Sequence, residues 1–224
     1  QQINEAQSNR IHVSIEDIPE DMQHAIVAIE DSRFYEHHGI DPRGILRAAA
    51  VTVASGFQET EGASTITQQL IKNNVFTDWT DENFLQSVRR KIQEQQLAVE
   101  LEEYLTEQGM DAKSVILEEY LNTVNFGSGA YGIQTAAQTY FGKDSRDLTL
   151  SECAVLAAIP QNPTRWDPRE NPEGNAARRE TVLQYMREQE WITQEEMDEA
   201  LEDDVYSRIS DHSNIQGQTS TYSY

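Results

Sequence analysis

Helical periodicity runs through most of this chain of 224 residues, and strand-like alternation is rare and short. In the segment that ends at Glu30, for example, Met22, Ile26 and Ile29 recur at the spacing of one helix face. A chain of this length buries a real core as one large domain. The sequence therefore predicts a mainly α protein with a single domain.

Capping signals place the ends of several of these helices. Thr149 with Glu152 and Thr193 with Glu196 form capping boxes that begin two of them, and Gly142 is suited to end another. The predicted helices cover residues 19–30, 42–55, 64–73, 81–107, 116–124, 133–141, 149–160 and two acidic segments between 175 and 201.

The longest predicted helix, 81–107, carries apolar residues at helical spacing, and one face is expected to turn towards the core. That face consists of Leu85, Val88, Ile92 and Val99. The stretch from Gly56 to Gly62 interrupts the helical pattern and is expected to be a mobile loop.

Composition excludes several classes of partner and structure. The net charge of −22 argues against nucleic acid, because binding to its backbone depends on surplus Lys and Arg. No run approaches the roughly twenty apolar residues of a membrane span. Gln1 opens a polar stretch without the features of a signal peptide, so the chain is expected to be an excised segment. A polyanionic ligand needs a local basic cluster, and Arg89-Arg90-Lys91 is one.

Glu30 is the first candidate for chemistry. The pair Glu30-Asp31 alone is a weak signal, because acidic pairs are common at helix ends. Glu30 follows the apolar run 25–29, so its carboxylate is predicted at the rim of a buried wall, where lost hydration raises the pKa towards that of a useful base. Sugar chemistry usually needs a second carboxylate across the reacting centre, and that residue must come from another helix.

Glu94 is the best candidate for this second carboxylate. It lies four residues after Arg90 and three after Lys91, so the three side chains share one helix face. Cations at this spacing keep a carboxylate ionised, and they can receive a phosphate-bearing leaving group. An ordinary salt-bridged helix surface explains the same spacing at least as well.

The segment from Gly62 to Gln69, with Ser64 and Thr65, places small and hydroxyl residues at an expected helix N-terminus. Free N–H groups and the helix dipole favour an anion there. Lys72 and Asn73 follow within two turns. A plain capped helix is an equal alternative.

Other chemistry finds little support in the sequence. His37 and His38 point in different directions and no metal-ligand spacing accompanies them, so no metal site is predicted with certainty. Phosphate-loop, dinucleotide and nucleophile-elbow motifs are absent. The single cysteine, Cys153, lies in an apolar run and is interpreted as a buried core thiol.

Five segments of the chain resemble, in order, signature motifs of the glycosyltransferases of bifunctional penicillin-binding proteins. They are residues 30–39 (EDSRFYEHHG), 62–69 (GASTITQQ), 90–94 (RKIQE), 116–122 (ILEEYLN) and 150–163. The resemblance covers about residues 15–185. It implies a lysozyme-like helical head lobe and a smaller mobile jaw lobe, at about 44–62, that touches a membrane.

The resemblance also implies a reaction between two lipid-linked disaccharide-pentapeptides, known as lipid II. The 4-hydroxyl of one N-acetylglucosamine (GlcNAc) attacks the anomeric carbon of the other molecule's N-acetylmuramic acid (MurNAc), undecaprenyl pyrophosphate leaves, and the configuration inverts. No cofactor is required, although a divalent cation (Mg²⁺ or Mn²⁺) is one means of assisting the leaving group. Moenomycin, which resembles the growing chain, is expected to bind and inhibit.

Position by position, Glu30 matches the family's general base. Glu94 matches its second glutamate, which orients the donor or assists departure of the pyrophosphate. Further matching positions bind sugar and pyrophosphate or support the motifs: Asp31, Phe34, His37, Ser64, Thr65, Gln69, Lys72, Asn73, Arg90 and Lys91. Asn125 departs from the pattern, because an aromatic residue is expected there, and this weakens a stacking role at that position.

The resemblance implies a catalytic domain over residues 1–206 and a linker, 207–224, towards a transpeptidase domain that this chain does not contain. An N-terminal anchor helix, also absent from the chain, is expected to hold the protein at the outer face of the bacterial cytoplasmic membrane. The expected partners are lipid II, the growing glycan chain and the membrane surface, but not nucleic acid. Apolar jaw residues, Val51, Val53 and Phe57, are expected to touch the lipid.

Two other functions fit the same residues less well. A lysozyme-like glycan hydrolase also uses two carboxylates, but it has little use for Lys72 and Arg90-Lys91 beside a neutral glycan. A non-catalytic module that binds lipid headgroups does not need the base, and Glu30 is present.

Overall fold

The computed structural model describes residues 11–54, 62–76 and 83–209. Ten α-helices follow one another in that part of the chain: α1 (Glu20–Glu30), α2 (Pro42–Ala54), α3 (Ile66–Val75), α4 (Phe84–Glu107), α5 (Ala112–Thr123), α6 (Ile133–Phe141), α7 (Leu150–Ala157), α8 (Pro163–Trp166), α9 (Pro172–Glu188) and α10 (Gln194–Glu202). Short 3₁₀ helices lie at Ile15–Asp17, Ser145–Asp147 and Val205–Arg208. The described residues form isolated β-bridges but no strand, so the predicted mainly α class is confirmed.

One apolar core joins two groups of helices. In the first group α1 packs against α7 and α9, and in the second α3 packs against α4 and α5. Side chains from both groups, including Met22, Tyr120 and Leu183, belong to the same buried cluster. Helix α1 buries five of its eleven residues, four of them in a run just before its end, and Glu30 is its last residue. Glu30 therefore lies at the edge of the core, at the boundary between the two groups of helices.

The predicted capping signals are confirmed. Thr149 and Glu152 begin α7, Thr193 and Glu196 begin α10, and Gly142 ends α6 in the left-handed conformation.

Two helices begin later than predicted. Thr65 is the N-cap of α3, since its hydroxyl accepts the N–H of Gln68, and the helix therefore starts at Ile66 instead of Ser64. Asn83 and Gln86 form a capping box that was not predicted, and α4 starts at Phe84, directly after the N-cap Asn83.

The prediction of which face of α4 turns towards the core is wrong. Leu85 is 77% exposed and Ile92 is 60% exposed, and Val88 is also exposed. The buried positions of the helix are Glu94, Ala98, Glu102 and Leu105. Two carboxylates can point into the protein because each has a cationic partner. Glu102, for example, lies 2.8 Å from the Nζ of Lys113.

Helix α2 lies in the predicted jaw and packs little against the rest of the protein. It buries only Gly44 and Ala48, and it exposes Ile45, Leu46 and Val53. Residues 55–61, which include Phe57 and most of the predicted mobile loop, lie outside the described residues. Among the residues that are described, no helix combines the length and apolar composition that crossing a membrane requires. The bounds of the jaw and of the domain stay predictions.

A close backbone contact joins the loop after α1 to α4. Gly39 has a φ of +80°, and a Cβ added to it would lie 2.6 Å from the carbonyl carbon and oxygen of Ala98. We therefore expect Gly39→Ala to lower the free energy of unfolding by about 2 kcal/mol or more, because conformational strain adds to a clash with backbone atoms. Urea denaturation measures this loss.

Gly109→Ala is the matched control for this substitution. Gly109 has a similar φ of +74°, but no atom of the described residues lies within 4 Å of an added Cβ. The control is expected to lose only about 1 kcal/mol from conformational strain. Equal losses in the two variants would show that the contact with Ala98 does not matter.

Candidate active site

Glu30 is held at the end of α1 by two other parts of the chain. Its side chain is 8% exposed. The amide nitrogen of Gln69, on α3, donates a hydrogen bond of 3.0 Å to Oε2. The guanidinium of Arg178, on α9, lies 3.7 Å from Oε1, and this oxygen has no hydrogen-bond partner among the described residues.

This environment suits a general base. Burial raises the pKa of Glu30, while the hydrogen bond from Gln69 and the charge of Arg178 act in the opposite direction and are outweighed. A carboxylate with a raised pKa binds a proton more readily during a reaction. The burial of Glu30 follows from the sequence pattern, but Arg178 was not predicted because this residue lies far along the chain and outside the motif positions.

Glu94 lies buried between two cations. It is 1% exposed, and its two oxygens contact Arg90 and Lys91 separately. The Nζ of Lys91 lies 3.2 Å from Oε2 of Glu94, and it also donates to Oγ of Ser64 at 2.7 Å and to Gln68. The predicted cationic face is therefore present, and Lys91 ties it to the segment before α3.

Glu30 lies between two cavities. The first, which we call the cationic cavity, has a volume of about 540 Å³ and also contains Glu94, Lys72 and Lys91. Its other lining residues are Ser64, Gln68, Gln69, Asn73, Thr123, Val124, Asn125, Tyr131, Pro160, Gln161 and Pro163.

The second, which we call the acidic cavity, has a volume of about 470 Å³. Asp31, Asp41 and Glu188 line it together with Arg47, and Glu30 and Ser64 line both cavities. The two predicted glutamates therefore share one cavity, and only Glu30 also reaches the other.

The N-terminus of α3 already holds an anion that belongs to the protein. The N–H of Ile66 donates to Oδ2 of Asp31 at 3.0 Å, and the N–H of Gln68 donates to the hydroxyl of Thr65. Asp31 also contacts the ring of His37 at 3.0 Å. Two N–H groups at this terminus are therefore already bonded within the protein, and the helix is capped, as the alternative predicted.

Two predicted site residues, Phe34 and His37, lie outside the linings of both cavities, whereas Thr65 lines the acidic cavity. Phe34 is fully buried, and the Nζ of Lys113 lies 4.5 Å from the centre of its ring. His37 is buried against Asp31, and the hydroxyl of Thr65 donates to the carbonyl of Gly39 at 2.7 Å. These residues fix the loop after α1 in place, and Phe34 and His37 line neither cavity.

Asn125 stands where an aromatic residue is expected, and an aromatic residue close to it in the structure lines the same cavity. Asn125 lines the cationic cavity, and its side chain accepts the N–H of Gly127 at 2.9 Å. Tyr131 pairs with Asn125 through a β-bridge and lines the same cavity. An aromatic ring therefore faces this cavity from Tyr131, a residue that the sequence analysis did not single out.

Comparison with known proteins agrees with the motifs. Penicillin-binding protein 1A of Escherichia coli (strain K12) is 44% identical over 193 residues, which cover 86% of this chain and 21% of that protein. Penicillin-binding protein 1F of Bacillus subtilis (strain 168) is 45% identical over 188 residues, which cover 84% of this chain and 24% of that protein. The chain thus spans less than a quarter of the length of either relative.

A solved structure is also similar. The 2.6 Å crystal structure of penicillin-binding protein 1A from Haemophilus influenzae matches 88% of this chain and 18% of its own chain, with 26% identity and a TM-score of 0.49. A family model described as transglycosylase matches residues 1–187. With this match and relatives of more than 40% identity, the chain belongs to the transglycosylase family, and the family resemblance of its motifs is confirmed.

Proposed function

We propose that this domain polymerises lipid II into glycan strands of peptidoglycan. The observation that carries the proposal is the place of Glu30, a buried carboxylate with a raised pKa that lines two cavities, one with two lysines and one with mostly carboxylates. A polymerase must bring two large substrates to one base, and a cavity on each side of the base meets that need.

The donor is assigned to the cationic cavity. Lys72 and Lys91 line it, and a pyrophosphate needs such a cluster in a chain whose net charge is −22. The acceptor is assigned to the acidic cavity, where its 4-hydroxyl would lie beside Glu30. Arg47 lines that cavity and would meet the acceptor's own pyrophosphate.

The proposed step is a single displacement. Glu30 takes the proton of the GlcNAc 4-hydroxyl as its oxygen bonds to C1 of MurNAc. The bond from C1 to the pyrophosphate oxygen breaks, and undecaprenyl pyrophosphate leaves with the electron pair. Because the acceptor is assigned to the acidic cavity and the leaving-group cations to the cationic cavity, with Glu30 lining both, the hydroxyl and the leaving group would occupy opposite faces of the sugar, and the configuration would invert.

Glu94 is assigned to the leaving-group side of this step. Its carboxylate fixes Arg90 and Lys91, and fixed cations stabilise the charge that develops on the pyrophosphate oxygen. A divalent cation fits these residues poorly, since both oxygens of Glu94 are engaged by side-chain cations. The proposal therefore needs no metal and no other cofactor.

The proposed partners include the membrane surface. Exposed apolar residues on α2 and α4, such as Leu46, Val53 and Leu85, support contact with lipid. The location follows from the substrate, which places the domain at the outer face of the bacterial cytoplasmic membrane. In the full-length protein, a membrane anchor and a transpeptidase domain would accompany it.

Vesicle flotation tests the membrane contact. Leu46→Asp with Leu85→Asp is expected to reduce the fraction bound to vesicles of anionic bacterial lipid by about tenfold, because charged groups replace apolar area at the lipid surface. The matched control is Glu195→Gln with Glu199→Gln, on α10. Binding that survives the aspartates would contradict the assignment of this surface.

Polymerisation itself is the test of the proposed function. Purified domain given lipid II in detergent should produce glycan polymer resolved by gel electrophoresis, and moenomycin should inhibit it. A glycan hydrolase would instead release short saccharides from finished peptidoglycan, and a module that only binds headgroups would retain lipid II unchanged. Either of these outcomes, without polymer, would overturn the proposal.

A further inference from the structure

A buried tyrosine is hydrogen-bonded to the end of the Gln69 side-chain amide that faces away from Glu30. Tyr120, on α5, is fully buried, and its hydroxyl donates to Oε1 of Gln69 at 3.1 Å. The other end of the same amide donates to Oε2 of Glu30 at 3.0 Å. An amide has one accepting end and one donating end, so with the hydroxyl of Tyr120 donating to its oxygen the amide of Gln69 presents its nitrogen to Glu30.

We propose that Tyr120 is a positioning residue that acts through Gln69 to hold Oε2 of Glu30 and leave Oε1 as the atom that accepts the proton. The inference rests on the proposed function, because the base has a task only if a sugar hydroxyl attacks.

Oε1 is the oxygen of Glu30 whose lone pairs are available to accept a proton. It is buried and has no hydrogen-bond partner among the described residues, whereas Oε2 accepts from Gln69. Arg178 approaches Oε1 only to 3.7 Å, because its Nε donates to the carbonyl of Ala158 at 3.0 Å and holds the guanidinium back. When the hydroxyl O–H bond breaks, the proton therefore goes to Oε1.

Other charged and titratable groups face Glu30 from several elements. Those that line the two cavities with Glu30 are Asp31, Asp41, Arg47, Lys72, Lys91, Glu94, Tyr131, Tyr185 and Glu188, and Arg178 and Tyr120 approach it from α9 and α5. Among the described residues, Gln69 alone donates a hydrogen bond to the carboxylate. The orientation of this one amide therefore distinguishes the two oxygens of Glu30.

Tyr120→Phe tests the proposal while it keeps the ring in the core. Without the hydroxyl, the oxygen of Gln69 loses its donor, and the amide is free to turn and accept from a protonated Glu30. This stabilises the protonated form, so the pKa of Glu30 rises further and the acidic limb of the kcat/KM profile moves to higher pH, by about one unit. The rate at neutral pH is expected to fall by about tenfold, with KM for lipid II little changed.

A second measurement does not depend on activity. The carboxyl carbon of Glu30, labelled with ¹³C and assigned by its loss in Glu30→Gln, is titrated by NMR in both proteins. The midpoint is expected to rise in Tyr120→Phe. Tyr140→Phe is the matched control, because Tyr140 is also buried and its hydroxyl donates to the carbonyl of Phe126 at 2.8 Å, away from Glu30. The control should lose stability but keep the midpoint of the native protein.

The outcomes separate the two proposals. An unchanged titration of Glu30 in a folded Tyr120→Phe variant overturns the positioning role, whatever the activity. A wild-type domain that makes no polymer overturns the proposed function, whereas a raised midpoint in the variant would still support the link from Tyr120 to Glu30. Equal shifts in the Tyr120 and Tyr140 variants would mean that general loosening of the core, not Gln69, moves the pKa.

Discussion

Glu30→Gln should reduce polymerisation of lipid II by at least about a thousandfold. The amide matches the carboxylate in size and still accepts the hydrogen bond from Gln69, but it cannot take a proton from the attacking hydroxyl. Binding of moenomycin, measured by fluorescence anisotropy, should change little, because the lysines of the cationic cavity remain. Polymer from the variant at more than a tenth of the normal rate would contradict the assignment of Glu30 as the base.

The same variant is expected to be more stable than the native domain at neutral pH. Burial raises the pKa of Glu30 in the folded protein, so folded molecules hold a proton that unfolded molecules release, and stability falls as pH rises through this interval. The side chain of Glu30→Gln is an uncharged amide, so the variant does not lose stability in this way. Glu20→Gln, at the exposed start of the same helix, is the control, and it should change neither activity nor the melting temperature appreciably.

Glu94→Gln is expected to have the second-largest effect, a fall in polymerisation of at least about a hundredfold. The substitution leaves Arg90 and Lys91 without the buried anion that places them. The free energy of unfolding should also fall, by about 1–2 kcal/mol, because Arg90 and the partly exposed Lys91 lose a buried counter-charge that they share. Urea denaturation and the gel assay measure the two losses separately.

Glu100→Gln supplies the comparison on the same helix. Glu100 is exposed and accepts from Gln96, so its loss should cost less than about 0.5 kcal/mol and leave polymerisation unchanged. If Glu94→Gln were destabilised but polymerised at the native rate, Glu94 would be a structural residue only. The leaving-group role would then have to be withdrawn.

Local signals predicted much of the fold. The capping boxes of α7 and α10 and the glycine after α6 are short patterns whose partners lie within a few residues, so the sequence displays them directly. The orientation of α4 could not be predicted in this way. Its apolar positions have a helical period, but the pairing of Glu94 with Arg90 and Lys91, and of Glu102 with Lys113, turns another face inward.

The candidate site, like the fold, could be predicted from the sequence only where the interacting residues are neighbours along the chain. The burial of Glu30 and the shared face of Glu94 with its cations follow from neighbouring residues, and the sequence predicted both. The contacts that orient Glu30 come from Gln69 and Arg178, and Tyr120 acts one step further away. Such contacts depend on how helices pack, and the spacing of residues along one helix does not reveal them.

The assembly of Glu30 from α1, Gln69 from α3 and Arg178 from α9 has a consequence for fragments and damaged forms of the protein. No short stretch of the chain contains a weaker version of the site. Catalytic activity should therefore disappear in one cooperative unfolding transition, at the denaturant concentration where the helices separate. Turnover then reports the fraction of intact molecules, and partial activity in a damaged sample means a mixture of working and inert domains.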